Sequence, residues 1–398
     1  MNKTILIFGA GINQLELIRE ANKLGVISVV IDPEENPPGK SEADYFYQVD
    51  GKDYETTKKI AIKHNVDGIV TGQMEKPMRM MARLAAEMGY IFHKPDIVER
   101  SLNKVLMKEA FIGNNVPCAQ GAIFKNGEKI TKNKIKDFNF PLIIKPADAF
   151  SSRGVMKVFS FDELLKYEEE ARSYSAEDTI IVEEFLEGRE FSVESITYQG
   201  ETTVIQVTEK FISPFPYTVE MAHLQPARIS NLEKQDIEEI VKKAITAIGI
   251  DNSASHAEVM LTRNGVFMIE IGARLGGDFI SSYLTKASTG VSMDKASVQV
   301  ALGIEPDLEH KFPKYSMIEY IELEEGKTIK RLPDKKLFEE MDGYVFSHYF
   351  LNEGDTIPKI THSAKRPVCV LFEGNNEKSL FNRIQKAKAK INSEIVLI

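Results

Sequence analysis

The chain has 398 residues, 43% of them hydrophobic and 27% charged, which is enough for two or three domains with cores of their own. A net charge of −9, with lysine and arginine dispersed along the chain, argues against nucleic acid as the main partner. The sequence contains no apolar run near the roughly 18 residues of a membrane span. Two distant cysteines offer no disulfide framework or metal spacing, so we expect a cytoplasmic protein.

The first 95 residues alternate short apolar runs with helical patterns. The predicted strands cover residues 4–8, 26–31, 68–70 and 90–92, and the predicted helices cover 13–24, 54–64 and 76–88. This alternation is typical of β-α-β units with a parallel sheet. We therefore expect one Rossmann-like α/β domain over residues 1–95.

A glycine-rich turn follows the first predicted strand. Gly9-Ala10-Gly11 lies where a dinucleotide fingerprint would, and Asp32 at the end of the second strand is placed like a ribose-binding acid. The third glycine of the fingerprint is Gln14 here, and a partial fingerprint is weak evidence. The pattern favours a tight turn over a nicotinamide or flavin site, which would make the chain an oxidoreductase.

Residues 96–305 are predicted to form a second domain and residues 306–398 a small α+β unit. The predicted elements are helices at 95–114, 233–248 and 377–391 and strands at 141–146, 155–159, 179–185, 190–198, 202–208, 317–323, 345–351 and 368–372. The helix at 233–248 has apolar residues at i, i+3, i+4 and i+7, and Gly249 ends it.

Two segments of the second domain have the composition of a nucleotide site. Lys145 ends an apolar strand, where a lysine is costly without an anionic partner. The small polar loop after it, to residue 155, can offer N–H groups and hydroxyls to phosphate, and the alternative is an ordinary hairpin loop. Phe185 and Leu186 form an apolar corner between acidic residues that suits a flat base, and the alternative is a charged edge strand.

Two glutamates are predicted to face each other across a β-hairpin. Asn264-Gly265 between two apolar runs is a strong hairpin signal. A turn centred on Asn264 places Glu258 opposite Glu270, and Val259 opposite Ile269 on the other face. Facing like charges are destabilising unless a cation lies between them, and Mg²⁺ commonly binds through one or two carboxylates plus substrate phosphates. The alternative is two solvated glutamates.

The order of these elements resembles the ATP-grasp superfamily over nearly the whole chain. The resemblance implies a mixed α/β and α+β fold class. It begins with a Rossmann-like pre-ATP-grasp domain at 1–95. An ATP-grasp domain follows at 96–305, with a mobile lid at about 116–182, and the chain closes with a C-terminal α+β domain at 306–398.

The resemblance also implies roles for individual residues. The ATP-binding set would be Lys104, Lys145, Ser151, Ser152, Gly154, Glu183, Phe185, Leu186 and Glu190. Glu258 and Glu270 would bind Mg²⁺, or Mn²⁺ in its place. Gly272-Ala273-Arg274 stands where most relatives have Asn-Pro-Arg, so one metal ligand is missing, whereas Arg274 remains to stabilise an oxyanion.

Members of this superfamily typically join a carboxylate to an amine at the expense of ATP. Residues 208–227 resemble the branch that ligates L-amino acids, and Glu75, His223 and Arg274 are the predicted substrate contacts. A structural role for His223 is the alternative. We therefore expect small-molecule carboxylate and amine substrates, and leave a homodimer open. Other hypotheses are phosphoribosylglycinamide synthetase, an enzyme like carbamoyl-phosphate synthetase or biotin carboxylase, and a catalytically silent nucleotide-binding regulator.

Overall fold

The computed structural model describes residues 3–214 and 217–398. Phe215 and Pro216, which belong to the ligase-like segment, lie outside the described residues. In the described part of the chain, no helix has both the length and the apolar character needed to cross a membrane. The mixed α/β fold predicted from the sequence is confirmed.

The N-terminal region is a parallel sheet flanked by helices, as predicted. Its strands are β1 (Thr4–Phe8), β2 (Ile27–Asp32), β3 (Tyr45–Gln48) and β4 (Gly68–Thr71), in the order β3-β2-β1-β4, with helices α1 (Leu15–Lys23), α2 (Tyr54–Lys63) and α3 (Met78–Met88) and short 3-10 helices at Ile12–Gln14 and Pro38–Glu42. The predicted strand at 90–92 is wrong. Gly89 adopts a left-handed conformation (φ 76°) and the Tyr90 N–H bonds back to the Ala85 carbonyl, so this segment caps α3.

The glycine turn after β1 uses the carboxylate that a dinucleotide would need. Asp32 accepts hydrogen bonds from the N–H groups of Ala10 (2.7 Å) and Glu34 (2.8 Å). Gly9 has φ +93°, and a Cβ there would lie 2.5 Å from the Met74 sulfur, so this position requires glycine. These contacts agree with the tight-turn interpretation.

The predicted helix at 95–114 is two helices, α4 (Pro95–Leu102) and α5 (Lys104–Gly113). Asn103 between them is extended, and its side chain accepts hydrogen bonds from the N–H groups of Val105 and Leu106. Asn is a favoured N-cap because its oxygen satisfies the free donors of the first turn. The break places Lys104 at the first position of α5.

A small antiparallel sheet follows, with a core of its own. Its strands, in the order β5-β8-β6-β7, are β5 (Gly121–Phe124), β6 (Leu142–Pro146), β7 (Met156–Val158) and β8 (Ile180–Glu184), and it carries helix α6 (Phe161–Ser173) and a 3-10 helix at Lys132–Ile135. Phe124, Ile144 and Met156 are fully buried in this core.

The rest of the chain builds one large sheet. Its strands are β9 (Gly188–Tyr198), β10 (Glu201–Ile212), β11 (Glu220–Gln225), β12 (Ser253–Thr262), β13 (Gly265–Gly272), β14 (Tyr315–Ile321), β16 (Tyr344–Tyr349) and β17 (Val368–Gly374), and β15 (Ile329–Arg331) pairs separately with β18 (Val396–Leu397). The strand order is β13-β12-β9-β10-β11-β14-β17-β16. The C-terminal strands therefore extend the sheet that begins in the second predicted domain. The domain boundaries stay a prediction.

Helices cover this sheet and one irregular turn follows β13. The helices are α7 (Asn231–Ile248), α8 (Thr285–Thr289), α9 (Met293–Ala301), α10 (Lys336–Glu339) and α11 (Glu377–Glu394), with a π-helix at Ile280–Leu284 and a 3-10 helix at Ser363–Lys365. Helix α7 ends at left-handed Gly249, as predicted, and it begins with a capping box of Ser230 and Glu233.

The hairpin of β12 and β13 brings the two glutamates opposite each other, as predicted. Glu258 pairs with Glu270. The predicted pairing of Val259 with Ile269 is wrong, because Val259 pairs with Met268. Thr262 pairs with Gly265, so the turn is centred between residues 263 and 264, half a residue before the predicted centre at Asn264. A β-bulge between Glu258 and Val259 then shifts the pairing, which restores the predicted register at Glu258. Bulges of this kind re-aim side chains next to functional sites.

Candidate active site

A cleft of about 530 Å³ lies among the N-terminal domain, the small sheet and the large sheet. It is lined by nearly all of the predicted site residues: Glu75, Lys104, Lys145, Ser151, Ser152, Glu183, Phe185, Leu186, Glu190, His223, Glu258, Glu270 and Arg274. Gly154 is the exception. A Cβ on it would lie 2.8 Å from the Tyr174 ring and 3.2 Å from Pro146, so it packs behind the loop.

One side of the cleft, which we call the basic wall, is lined by Lys104, Lys145 and Glu183, and it includes Lys108, which contacts Glu183. Lys145 forms an ion pair with Glu183, and the Lys108 Nζ lies 3.0 Å from the other oxygen of that carboxylate. Burial would lower the pKa of Lys145, but the charge of Glu183 outweighs it and raises that pKa. One carboxylate thus faces two ammonium groups, so this wall keeps an excess of positive charge.

The Glu183 carboxylate contacts two lysines and holds them in place. The adenine contact that the resemblance implied for Glu183 stays a prediction. Burial raises the pKa of Glu183, and the two lysines more than reverse this, so the pKa is lowered and the group stays ionised.

The loop beside the basic wall has an unusual backbone. Ser151 and Ser152 adopt left-handed conformations (φ 61° and 56°), which non-glycine residues seldom do. The Ser152 hydroxyl donates to Glu220 across the cleft at 3.2 Å. Turns that combine such conformations expose successive N–H groups to an anion.

The end of the cleft next to this wall is apolar. Its lining includes Phe185, Leu186, Ile143, Met260 and Met268. The Lys157 ammonium lies 3.4 Å from the centre of the Phe185 ring, which fixes that ring by a cation–π contact. A flat heterocycle fits between such side chains.

The opposite side, the acidic wall, consists of Glu190, Glu220 and Glu258 around the buried ammonium of Lys210. The Lys210 Nζ lies 2.5 Å, 3.2 Å and 3.0 Å from one oxygen of each, and its side chain is 1% exposed. Burial raises the pKa of Glu190 despite Lys210, whereas Lys210 and His256 overcome burial and lower the pKa of Glu258. Three carboxylates around one ammonium leave an excess of negative charge.

The acidic wall fits a divalent cation. Carboxylate oxygens of Glu190, Glu220 and Glu258 lie within 4.8 Å of one another, and these are the hard ligands that Mg²⁺ prefers. Glu270 stands outside this group, since its Oε2 is 2.9 Å from the Lys104 Nζ. Glu258 thus belongs both to the hairpin pair and to the acidic wall.

Two predicted substrate contacts meet directly. The Arg274 guanidinium donates to Glu75 Oε1 (Nε, 2.9 Å), which joins the large sheet to the N-terminal domain. Gly272, which replaces the expected metal-ligating Asn, allows this arrangement. A Cβ at residue 272 would lie 3.2 Å from the Arg274 Cζ, so a side chain there would require the guanidinium to shift by a few tenths of an ångström.

His223, the third predicted substrate contact, also lines the cleft. Its Nε2 is 3.0 Å from Asp278 Oδ2, and Arg366 of the C-terminal region also binds Asp278, with NH1 at 2.7 Å. Arg366 stacks on the Tyr320 ring at 3.5 Å. Asp278 has φ +55°, so the loop presents its carboxylate in a constrained conformation.

Sequence reasoning missed Lys108, Lys210, Glu220, Asp278 and Arg366. Lys210 had a usable signal, because it stands in a buried strand in the same way as Lys145. Lys108 follows Lys104 by one helical turn and so shares its face. Arg366 and Asp278 are 88 residues apart, and their contact has no local sequence signal.

Comparisons with known proteins agree with this geometry. Residues 138–282 match the family model described as ATP-grasp domain. D-alanine–D-alanine ligase of Flavobacterium psychrophilum is 31% identical over 41% of this chain and 51% of its own length, so the match spans about half of that relative.

Two solved structures cover the whole chain. L-amino acid ligase of Bacillus licheniformis superposes with a TM-score of 0.81 at 21% identity, covering 100% of this chain and 98% of its own. Phosphoribosylglycinamide synthetase of Anaerococcus prevotii gives 0.78 at 23%, covering 100% of both chains. The chain therefore contains an ATP-grasp domain, and as a whole it shares the fold of these two structures.

Proposed function

We propose that the chain is an ATP- and Mg²⁺-dependent ligase that activates a carboxylate as an acyl phosphate and joins it to an amine, most simply an amino acid. The observation that carries this proposal is the bipolar cleft. A basic wall and an acidic wall with Glu258 opposite Glu270 face each other across a space beside an apolar pocket. Magnesium nucleotide has the matching parts: a flat base, an anionic triphosphate and a divalent cation.

The basic wall would bind the phosphates. Lys145 and Lys108 share one counter-charge, so a phosphate oxygen entering beside them gains an attraction that Glu183 alone does not satisfy. Lys104 is held by Glu270 and by the Ala149 carbonyl (2.8 Å), which keeps its ammonium at the cleft before ligand binds. The N–H groups of the left-handed turn at Ser151 and Ser152 would add neutral donors.

Glu258 and Glu270 would hold the metal, with Glu190 and Glu220 nearby. Mg²⁺, when bound, neutralises charge on the phosphoryl group during its transfer. The negative charge of the acidic wall would drive cation binding, because one ammonium does not compensate three carboxylates. The missing Asn at residue 272 leaves the metal with fewer protein ligands than in most relatives.

Arg274 would serve the second half of the reaction. When the amine nitrogen attacks the acyl phosphate, negative charge develops on the carbonyl oxygen and a guanidinium beside it lowers the barrier. In the free chain this guanidinium forms an ion pair with Glu75. A substrate carboxylate is the chemical equivalent of the Glu75 side chain, so we infer that the acid substrate binds near this pair. His223 and Asp278 would contact the partner substrate.

A screen for ADP release over pairs of carboxylates and amines, with products identified by mass, tests the proposal. We expect ADP release that requires both substrates and Mg²⁺, with a product mass equal to the sum of the two minus water. Release only with glycine and phosphoribosylamine would select phosphoribosylglycinamide synthetase. Binding of magnesium ATP without turnover on any pair would select the silent regulator and contradict the proposal.

A further inference from the structure

A chain of buried polar contacts runs through the large sheet to Glu258. The Gly276 N–H donates to the Ser281 hydroxyl (2.7 Å), which donates to Glu194 Oε2 (2.8 Å). The other oxygen of Glu194 is 2.5 Å from His256 Nδ1. His256 Nε2 then lies 3.5 Å from Glu258 Oε1. We call Ser281, Glu194 and His256 the buried relay.

The packing is built around this relay. Glu194 and Ser281 have no exposed surface, and Glu194 pairs directly with His256 across β9 and β12. A Cβ on Gly276 would lie 2.6 Å from both Glu194 Oε2 and His256 Nδ1, so a side chain there would separate the two. A buried carboxylate is costly unless it is paired and hydrogen-bonded, and the relay meets this requirement.

The relay constrains one oxygen of the predicted metal ligand. Because His256 donates through Nδ1 to Glu194, its Nε2 is fixed toward Glu258. The Lys210 ammonium contacts the same Glu258 oxygen, Oε1, at 3.0 Å. The His256 imidazole and the Lys210 ammonium thus both lie beside Oε1, which leaves Oε2 to turn toward a cation in the cleft.

We propose that Glu194, Ser281 and His256 are positioning residues that orient Glu258 as a divalent-metal ligand, an inference that rests on the proposed function. None of the three needs to touch the metal. Partners that orient a ligating side chain in this way typically change metal affinity by about 10- to 100-fold when they are removed. Their effect should therefore be on metal binding more than on nucleotide binding.

The test compares Glu194→Gln with the unsubstituted chain by titrating Mn²⁺ in the presence of saturating ADP and measuring free Mn²⁺ by electron paramagnetic resonance. The substitution keeps the shape of the side chain and removes its charge. We expect the Mn²⁺ Kd to rise by about 10- to 100-fold. The ADP Kd measured in a chelator should stay that of the unsubstituted chain.

Asp294→Asn is the matched control, because Asp294 is 1% exposed and lies on α9 beside Glu16 and Glu20, away from the relay. It should leave the Mn²⁺ Kd unchanged. If Glu194→Gln fails to fold, Ser281→Ala replaces it, and we expect a smaller rise in the Mn²⁺ Kd of that variant.

Three results would overturn the proposal. A folded Glu194→Gln variant whose Mn²⁺ Kd equals that of Asp294→Asn would reject the role of the relay but not the proposed function. If Glu194→Gln does not fold, an unaltered Mn²⁺ Kd in Ser281→Ala would reject the role of the relay in the same way. An unsubstituted chain that binds no Mn²⁺ with ADP would reject the proposed function and the relay with it.

Discussion

Both walls of the cleft bury a lysine beside carboxylates, but one wall has an excess of positive charge and the other an excess of negative charge. Each buries a lysine near the end or the middle of a strand, which is tolerated only with carboxylate partners. At the basic wall one carboxylate serves two lysines, whereas at the acidic wall three carboxylates surround one lysine. The ratio of lysines to carboxylates, rather than the mere presence of buried charge, determines which wall attracts phosphate and which attracts a cation.

Removing a metal carboxylate should have the largest effect. We expect Glu258→Gln and Glu270→Gln each to lower kcat on the order of 10²- to 10³-fold, since the metal contributes several kcal/mol to transition-state stabilisation. The measurement is steady-state ADP release with circular dichroism as a check of the fold. Glu319→Gln, on β14 and paired with Lys388, is the control. An unchanged kcat for Glu270→Gln would remove that residue from the metal site.

Removing the central lysine of the acidic wall should destabilise the fold and make its stability depend on a bound cation. We expect Lys210→Met to cost up to about 3–5 kcal/mol of unfolding free energy near neutral pH, the cost of breaking a buried ion pair, because three half-buried carboxylates lose their shared cation. Added Mn²⁺ should raise the melting temperature of this variant more than that of the unsubstituted chain. Equal Mn²⁺ effects on both proteins would mean that the cation does not bind at the acidic wall.

Removing a lysine of the basic wall should weaken nucleotide binding. We expect Lys145→Met to raise the ATP Kd by about 10- to 100-fold, since a hydrogen bond to a charged group contributes about 1.5–3 kcal/mol. Isothermal titration calorimetry measures it, with Lys314→Met as a control in an ion pair with Glu373. An unaltered ATP Kd would count against the role assigned to Lys145.

The smallest expected effect is a pH dependence from the relay. Burial would lower the pKa of His256, but the charge of Glu194 raises it to about 9. The folded-state pKa lies above the ordinary value near 6.5, so this stabilisation is complete below pH 6.5 and is lost as pH rises through about 9.

Chemical denaturation between pH 6 and 9.5 measures this dependence. The decline toward alkaline pH should be smaller in His256→Gln. It should persist in His93→Gln, because burial lowers the pKa of His93 to about 4 and that residue stays neutral over the whole range. Parallel curves for His256→Gln and the unsubstituted chain would show that His256 is not charged.

Local patterns predicted most of the fold, and most of the predicted site residues line the cleft. Strand periodicity and the Asn264-Gly265 turn were sufficient to bring Glu258 opposite Glu270, although a bulge that the pattern could not reveal restores the register. Lys145 was found because a lysine in an apolar strand needs a partner. The identity of that partner, Glu183, and the contact of Glu75 with Arg274 depend on how separate units pack. Such long-range pairings have no signal in the sequence of either segment.

The most direct test of the bipolar cleft is a crystal structure with Mn²⁺ and a non-hydrolysable ATP analogue. We predict an anomalous peak between the carboxylates of Glu258 and Glu270, with the phosphates against the basic wall and the base beside Phe185 and Leu186. Both glutamates pointing into solvent, with the analogue bound elsewhere or absent, would contradict the account.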